Sequence, residues 1–224
     1  MDAVTQQFLQ LPGEKIQLEA GEFLFREGTR AKYFYFILSG QINIVKYAAT
    51  GRELSLRLVS HNGIIGELPL YQENPVYIFN AIAKIHSEVY AIDFRMLEQY
   101  LSSQPKLAID LLRLVSEHMR KQHSKFRDLV LYGKKGALYA TLIRLSNSYG
   151  KIQPDGVLIP VVLTNQDLAN YSATARESVN RMMRDLRLKN VIEYRQKYIF
   201  IKNLLYLREQ INCENCGRQI CNIE

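Results

Sequence analysis

Residues 164–186 read TNQDLANYSATARESVNRMMRDL, and the fold of the whole carboxy-terminal region follows from this stretch. Thr164 and Asp167 make a T-x-x-D signal, in which a hydroxyl and a carboxylate satisfy the free amides that open a helix. Leu168 and Ala169 give that helix an apolar face, and Tyr171-Ser172-Ala173 supplies a turn. Thr174 stands three residues before Glu177, a T-x-x-E signal for a second helix. There Val179, Met182, Met183 and Leu186 recur at helical spacing and form a buried stripe. Arg176, Glu177, Asn180 and Arg181 fall on the opposite side, near the amino end, where the second helix of a helix-turn-helix meets base edges. Arginine bonds both acceptors of guanine, and glutamate accepts from the amino group of cytosine. In an isolated helix the same residues read as a solvated face with a Glu177–Arg181 pair. Two capped helices joined by a tight turn, in a basic region, favour DNA.

The flanking sequence completes the module. Val191–Tyr194 and Tyr198–Ile201 flank Arg195-Gln196-Lys197 as a hairpin, a wing beside the DNA phosphates. Upstream, Gly133-Lys134-Lys135-Gly136 ends a preceding helix and marks a domain boundary, a helix covers 137–149, 150–156 is a loop and 157–163 is strand-like. Residues 106–131 form one long helix introduced by Pro105. Leu107, Leu111, Leu114, Val115, Met119, Phe126 and Leu129 stripe it, diluted by His118, Gln122 and Lys125. At about 1.5 Å per residue it is roughly 39 Å long, which predicts pairing with a second subunit in a coiled coil. Two-fold symmetry then sets two recognition helices one DNA turn apart.

Residues 1–103 carry glycines at 13, 21, 28, 40, 51, 63 and 66 between β-rich runs at 23–25, 33–38, 41–47 and 54–59. Leu54, Leu56 and Leu58 alternate with Ser55 and Arg57, the period of a half-buried strand. The pattern predicts an antiparallel β-roll of the cupin or jelly-roll kind, with turns at Gly40 and Gly51. The fold class is therefore α+β. Four segments are expected: a β-roll at 1–103, a dimerisation helix at 104–132, a winged helix-turn-helix at 133–212, and a cysteine-rich tail at 213–224.

Charge follows this division. Residues 1–131 hold 15 Lys+Arg against 14 Asp+Glu, while 132–224 hold 14 against 8, so the net charge of +7 lies almost wholly in the second part. A basic second half points to a polyanion. No apolar run approaches a membrane span, and MDAVTQQFLQ lacks the regions of a signal peptide, which predicts a cytoplasmic protein without a membrane partner. No phosphate loop or nucleophile motif appears, and His61, His86, His118 and His123 are isolated, so an enzyme is not expected.

All three cysteines, Cys213, Cys216 and Cys221, lie in the last twelve residues with C-x2-C-x4-C spacing. An odd count in a reducing compartment argues against structural disulfides. Soft thiolates so spaced suit an iron–sulfur cluster or zinc, and spacing does not choose between them. For Asp128, the residues alone give a surface carboxylate paired with Arg127 or Lys125.

At this point the chain resembles the CRP/FNR superfamily of dimeric bacterial regulators. The resemblance is carried by Phe25-Arg26-Glu27-Gly28, Leu38-Ser39-Gly40 and Gly66-Glu67-Leu68 in the roll, and by Arg176-Glu177-Ser178-Val179-Asn180-Arg181 in the recognition helix. It implies that Arg176, Glu177 and Arg181 read bases, with Asn180, Thr164 and Thr174 beside them. The R-E-x-x-x-R arrangement implies a TGTGA-N6-TCACA-like palindrome, and the family implies contact with RNA polymerase. Members that bind cyclic nucleotide carry an Arg-Ser pair after Gly-Glu-Leu; this chain has Pro75-Val76-Tyr77, so no cyclic nucleotide is expected. Gly66 and Glu67 are read as shaping a turn.

The tail, with Lys134 to Tyr139 and Leu142 to Gly150, is most similar to the Fnr regulators of Gram-positive bacilli. That resemblance implies an oxygen-labile 4Fe-4S cluster held by Cys213, Cys216, Cys221 and, in Phe126-Arg127-Asp128-Leu129, Asp128. The implied function is oxygen-responsive control of anaerobic genes. A zinc- or thiol-based regulator of the same fold is the alternative.

Overall fold

The computed structural model describes residues 3–51, 53–66 and 73–223. Glu67 and Leu68, part of the Gly66-Glu67-Leu68 motif, lie outside the described residues. The chain divides into two compact units, Met1–Leu114 and Val115–Ile223.

The first unit holds a short helix α1 (Ala3–Phe8) and strands β1 (Glu14–Leu18), β2 (Phe23–Phe25), β3 (Tyr33–Ser39), β4 (Ile42–Tyr47), β5 (Glu53–Val59), β6 (Ile64–Ile65), β7 (Asn80–Ala83) and β8 (Ser87–Asp93). These make two four-stranded sheets, ordered β1-β8-β3-β6 and β2-β7-β4-β5, with antiparallel pairing throughout. Phe34, Phe36, Ile42, Val89 and Ile92 lie in the core, joined by Phe8, whose ring stacks on Phe36 at 5.1 Å. Helix α2 (Phe94–Ser103) follows, with Asp93 accepting from the Arg95 amide as its cap. The expected β-roll is present, and Gly40 and Gly51 turn the chain at φ +88° and +78°. The alternation expected in β5 fails: Ser55 is buried while Leu54 and Leu56 are half-exposed. The pairing of β4 with β5 shifts register between Ile44 and Val45, and Ser55 donates to Asn43 from inside. A one-residue shift exchanges the faces of a strand.

Helix α3 (Pro105–Tyr149) is broken at Gly133, which sits at φ 59°, ψ −158°. That conformation is open to glycine and strained for any side chain, so the helix does break where expected, whereas the two compact units divide earlier, after Leu114. The first turns of α3 belong to the roll, because Leu107 and Leu111 are buried in its core. The sequence placed the roll's end at 103.

The second unit adds β9 (Lys151–Gln153), β10 (Gly156–Ile159), α4 (Asn165–Tyr171), α5 (Arg176–Leu188), β11 (Ile192–Arg195), β12 (Tyr198–Ile201) and α6 (Leu204–Glu209). Its sheet runs β11-β12-β10-β9. The segment 150–156, expected as a loop, contains β9 and pairs with β10 as a hairpin. Leu138, Leu142 and Leu145 pack with Leu168, Val179, Met183, Leu186 and Leu207 in one core. The tail is part of that core: Ile220, Cys221 and Ile223 are buried. No described helix is long and apolar enough to cross a membrane.

Candidate functional site

Two surfaces of the second unit carry chemistry. The first is the outer face of α5. The capping box at Thr164 is formed as expected, with Thr164 Oγ1 accepting from the Asp167 amide and Asp167 accepting from the Thr164 amide at 2.9 Å. This fixes where α4 begins. The turn then passes through Ala173 at φ 52°. The second cap differs from expectation. The cap position of α5 is Ala175, with no side-chain bond, and Thr174 is only 2% exposed with its hydroxyl unpartnered. Packing of the turn against the core has taken Thr174 inside. Arg176, Glu177, Asn180 and Arg181 are all exposed on one side of α5, while Val179, Met183 and Leu186 are buried on the other. Arg181 reaches Ser178 at 3.5 Å, and Asn180 accepts from Asn165 of α4.

In the wing, Arg195 is already committed. It bonds Asp155, Glu193 and Gln153, and its guanidinium lies 3.3 Å from the centre of the Phe200 ring. Lys197, at the turn, is exposed.

The second surface is a cleft lined by Ser124, Arg127, Asp128, Ala140, Ile143, Arg144, Ile211, Cys213, Cys216 and Cys221. All three cysteines and Asp128, 85 to 93 residues apart in sequence, line this single cleft. Asp128 is 1% exposed, so the surface pair read from sequence is corrected. Its Oδ1 accepts from Arg127 at 2.7 Å, and its Oδ2 accepts from Arg144 at 2.5 Å. Arg144 is itself buried and also donates to Ser124 at 2.9 Å. Arg127 additionally pairs with Glu214 of the tail. Burial lowers the Arg127 pKa, but the hydrogen bonds and charge of Asp128, then the charges of Glu214 and Cys216, outweigh it and raise the pKa overall. Burial pushes the Cys221 thiol up to about 11; the neighbouring Cys216 adds to the rise, and Arg144 opposes it.

The donor set fits an iron–sulfur or zinc centre: three soft sulfurs from one short segment, a carboxylate, and two cations to offset thiolate charge. The cleft is narrow, about 10 Å³, the room of one water. Among the described residues, no three His, Cys, Asp or Glu stand at metal-binding distances. Holding a cluster therefore requires the tail to move outward. Among the described residues beyond Glu209 no helix or strand opposes that movement, but the buried Ile220, Cys221 and Ile223 and the bond from Asn147 to the Cys221 carbonyl do. Arg144 escaped the sequence reading because its link to Asp128 spans 16 residues and crosses the break at Gly133.

Inside the roll, Tyr77 occupies the segment where cyclic-nucleotide binders carry their arginine. Its ring stacks on Phe25 at 3.8 Å, and its hydroxyl donates to the Tyr33 carbonyl at 3.0 Å.

Residues 15–104 match the cyclic nucleotide-binding domain family, and 136–210 match the Crp-like helix-turn-helix domain. Over 211 residues the chain is 48% identical to the anaerobic regulatory protein of Bacillus subtilis strain 168, spanning 94% of this chain and 89% of that protein. The chain belongs to the CRP/FNR family. Other relatives include the global nitrogen regulator of Synechococcus elongatus, 24% identical over 90% of this chain and 91% of that one. Among solved structures, a CooA mutant from Carboxydothermus hydrogenoformans superposes with a TM-score of 0.76 at 15% identity, covering 93% of this chain and 89% of that one. The c-di-GMP-responsive global regulator CLP of Xanthomonas campestris gives 0.74 at 22%, covering 89% and 99%. Both carry the same fold. This CRP/FNR member is a DNA-binding transcription regulator.

Proposed function

We propose that this regulator senses oxygen through a 4Fe-4S cluster held by Cys213, Cys216, Cys221 and Asp128, and that as a homodimer it binds a TGTGA-N6-TCACA-like palindrome to control anaerobic genes. The observation that carries the reading is the single cleft lined by three cysteines from the tail and a buried aspartate from α3. The 48% identity to an anaerobic regulatory protein supports it. When bound, such a cluster supplies oxygen-reactive iron.

The chain's own residues do the rest. With its thiols engaged at Asp128, the tail is fastened to α3. With them free, it is held by the buried Ile220, Cys221 and Ile223 and by the bond from Asn147 to the Cys221 carbonyl at 2.7 Å. Carboxylate oxygen is a hard ligand poorly matched to cluster iron, which makes Asp128 the natural point of release. The same core holds α5, so a change of tail attachment acts on the element that reads DNA.

Dimerisation is supported by α3. Leu112, Val115, Met119, Phe126 and Val130 are 38–68% exposed and recur at steps of three, four, seven and four, the seam of a coiled coil. Lys197 of the wing serves as a phosphate contact, and RNA polymerase is the expected protein partner. The roll is read as taking no cyclic nucleotide, since Pro75-Val76-Tyr77 offers an aromatic ring and no cation to a phosphate.

The DNA reading is tested by Arg176→Ala and Arg181→Ala, measured by fluorescence anisotropy on the TGTGA palindrome. Each bidentate contact is worth about 1–3 kcal/mol, so affinity should fall roughly ten- to hundredfold and discrimination at one base should relax. Unchanged affinity and specificity would refute this assignment.

A further inference from the structure

We propose that Arg144 positions the group held by the cysteine tail, fixing Asp128 with one nitrogen and donating from Nε to a sulfur of that group. This rests on the reading of the cleft as a metal centre. Arg144 is 4% exposed and lines the cleft with all three cysteines. Its Nη2 serves both Asp128 Oδ2 and Ser124 Oγ. Its Nε–H is buried with no acceptor. A buried charged donor left unpaired is expensive and calls for an explanation.

The guanidinium is planar and its donors form a rigid fork. Anchoring Nη2 on Asp128 therefore also limits the direction of Nε–H. The side-chain oxygens lining the cleft are otherwise used. Both Asp128 oxygens are bonded, and the Ser124 hydroxyl accepts from Arg144 already. The sulfurs remain. A neutral thiol accepts weakly, whereas a thiolate or a cluster sulfide accepts well. The orphan donor is thus matched to the loaded site. Arg127, the other cation of the cleft, spends Nε and Nη2 on Asp128 and Nη1 on Glu214, so it does not share this role.

The test compares full-length wild type, Arg144→Lys and Arg144→Gln after anaerobic reconstitution with iron and sulfide. Iron content, reduction potential by dye titration, rate of bleaching in air, and melting temperature of the metal-free chains are measured. Hydrogen bonds to sulfur and nearby positive charge raise a cluster's potential. Both variants are expected to shift downward, Arg144→Gln further, and to bleach about tenfold faster, the effect of one lost charge-assisted bond. A folded variant that takes up no iron also supports the assignment. Loaded variants with the wild-type potential, whatever their melting temperatures, would overturn it by leaving Arg144 a purely structural tie. If Arg144→Gln does not fold, Arg144→Lys decides alone on the same criterion. Wild type that takes up no iron would instead overturn the metal-centre reading, and this inference with it.

Discussion

Asp128 follows Arg127 directly and precedes Arg144 by 16 residues, and both guanidiniums end on its carboxylate. Removing one partner of a buried ion pair leaves the other charge uncompensated, at a cost of about 3–5 kcal/mol. Asp128→Ala should therefore destabilise the metal-free chain by about that amount, read by urea denaturation, before any metal is added. A change under 1 kcal/mol would mean that the pairing with Arg144 is not a structural tie. The consequence for the sensing question is practical: lost iron in Asp128→Ala counts as lost ligation only in protein shown to be folded. The same residue marks the limit of reading from sequence. The cysteines were legible because their spacing is local. The burial of Asp128 and its link to Arg144 arise from tertiary packing across the helix break at Gly133, which no local pattern encodes. Thr174 teaches the converse. Its T-x-x-E context obeys the capping rule, but burial in the turn overrode the local preference and moved the cap to Ala175.

At the level of elements, the long, strongly periodic segments were the readable ones. Helices α3, α4 and α5 and the wing strands fall within a few residues of their expected bounds. Gly133 was legible because a glycine inside a helical pattern marks a break, and its φ of 59° with ψ of −158° is a combination that suits only glycine well. Strand β9 was missed: Lys151–Gln153 is three residues long, two of them polar, and it exists because β10 pairs with it. In α3 the stripe read from sequence separates into two uses. Leu107 and Leu111 are buried in the roll, whereas Met119 and Phe126 remain 55% and 68% exposed. Exposed apolar side chains at coiled-coil spacing predict a partner helix. Met119→Glu should shift the protein from dimer toward monomer in sedimentation velocity. Its effect on folding of the monomer should be small, since the position is solvent-facing. Dimers of undiminished stability would place the subunit interface elsewhere.

For the whole molecule, a near-neutral roll precedes a strongly basic reader domain. The central claim is that the tail cysteines couple oxygen to DNA binding through a cluster fastened at Asp128. Protein purified without air should be brown, contain iron and bind the TGTGA palindrome. Its absorbance and DNA affinity are followed in one sample before and after brief aeration. The account predicts that colour and affinity fall together, and that Cys216→Ser lacks both from the start. Iron-free anaerobic protein that binds the palindrome at full affinity would contradict it.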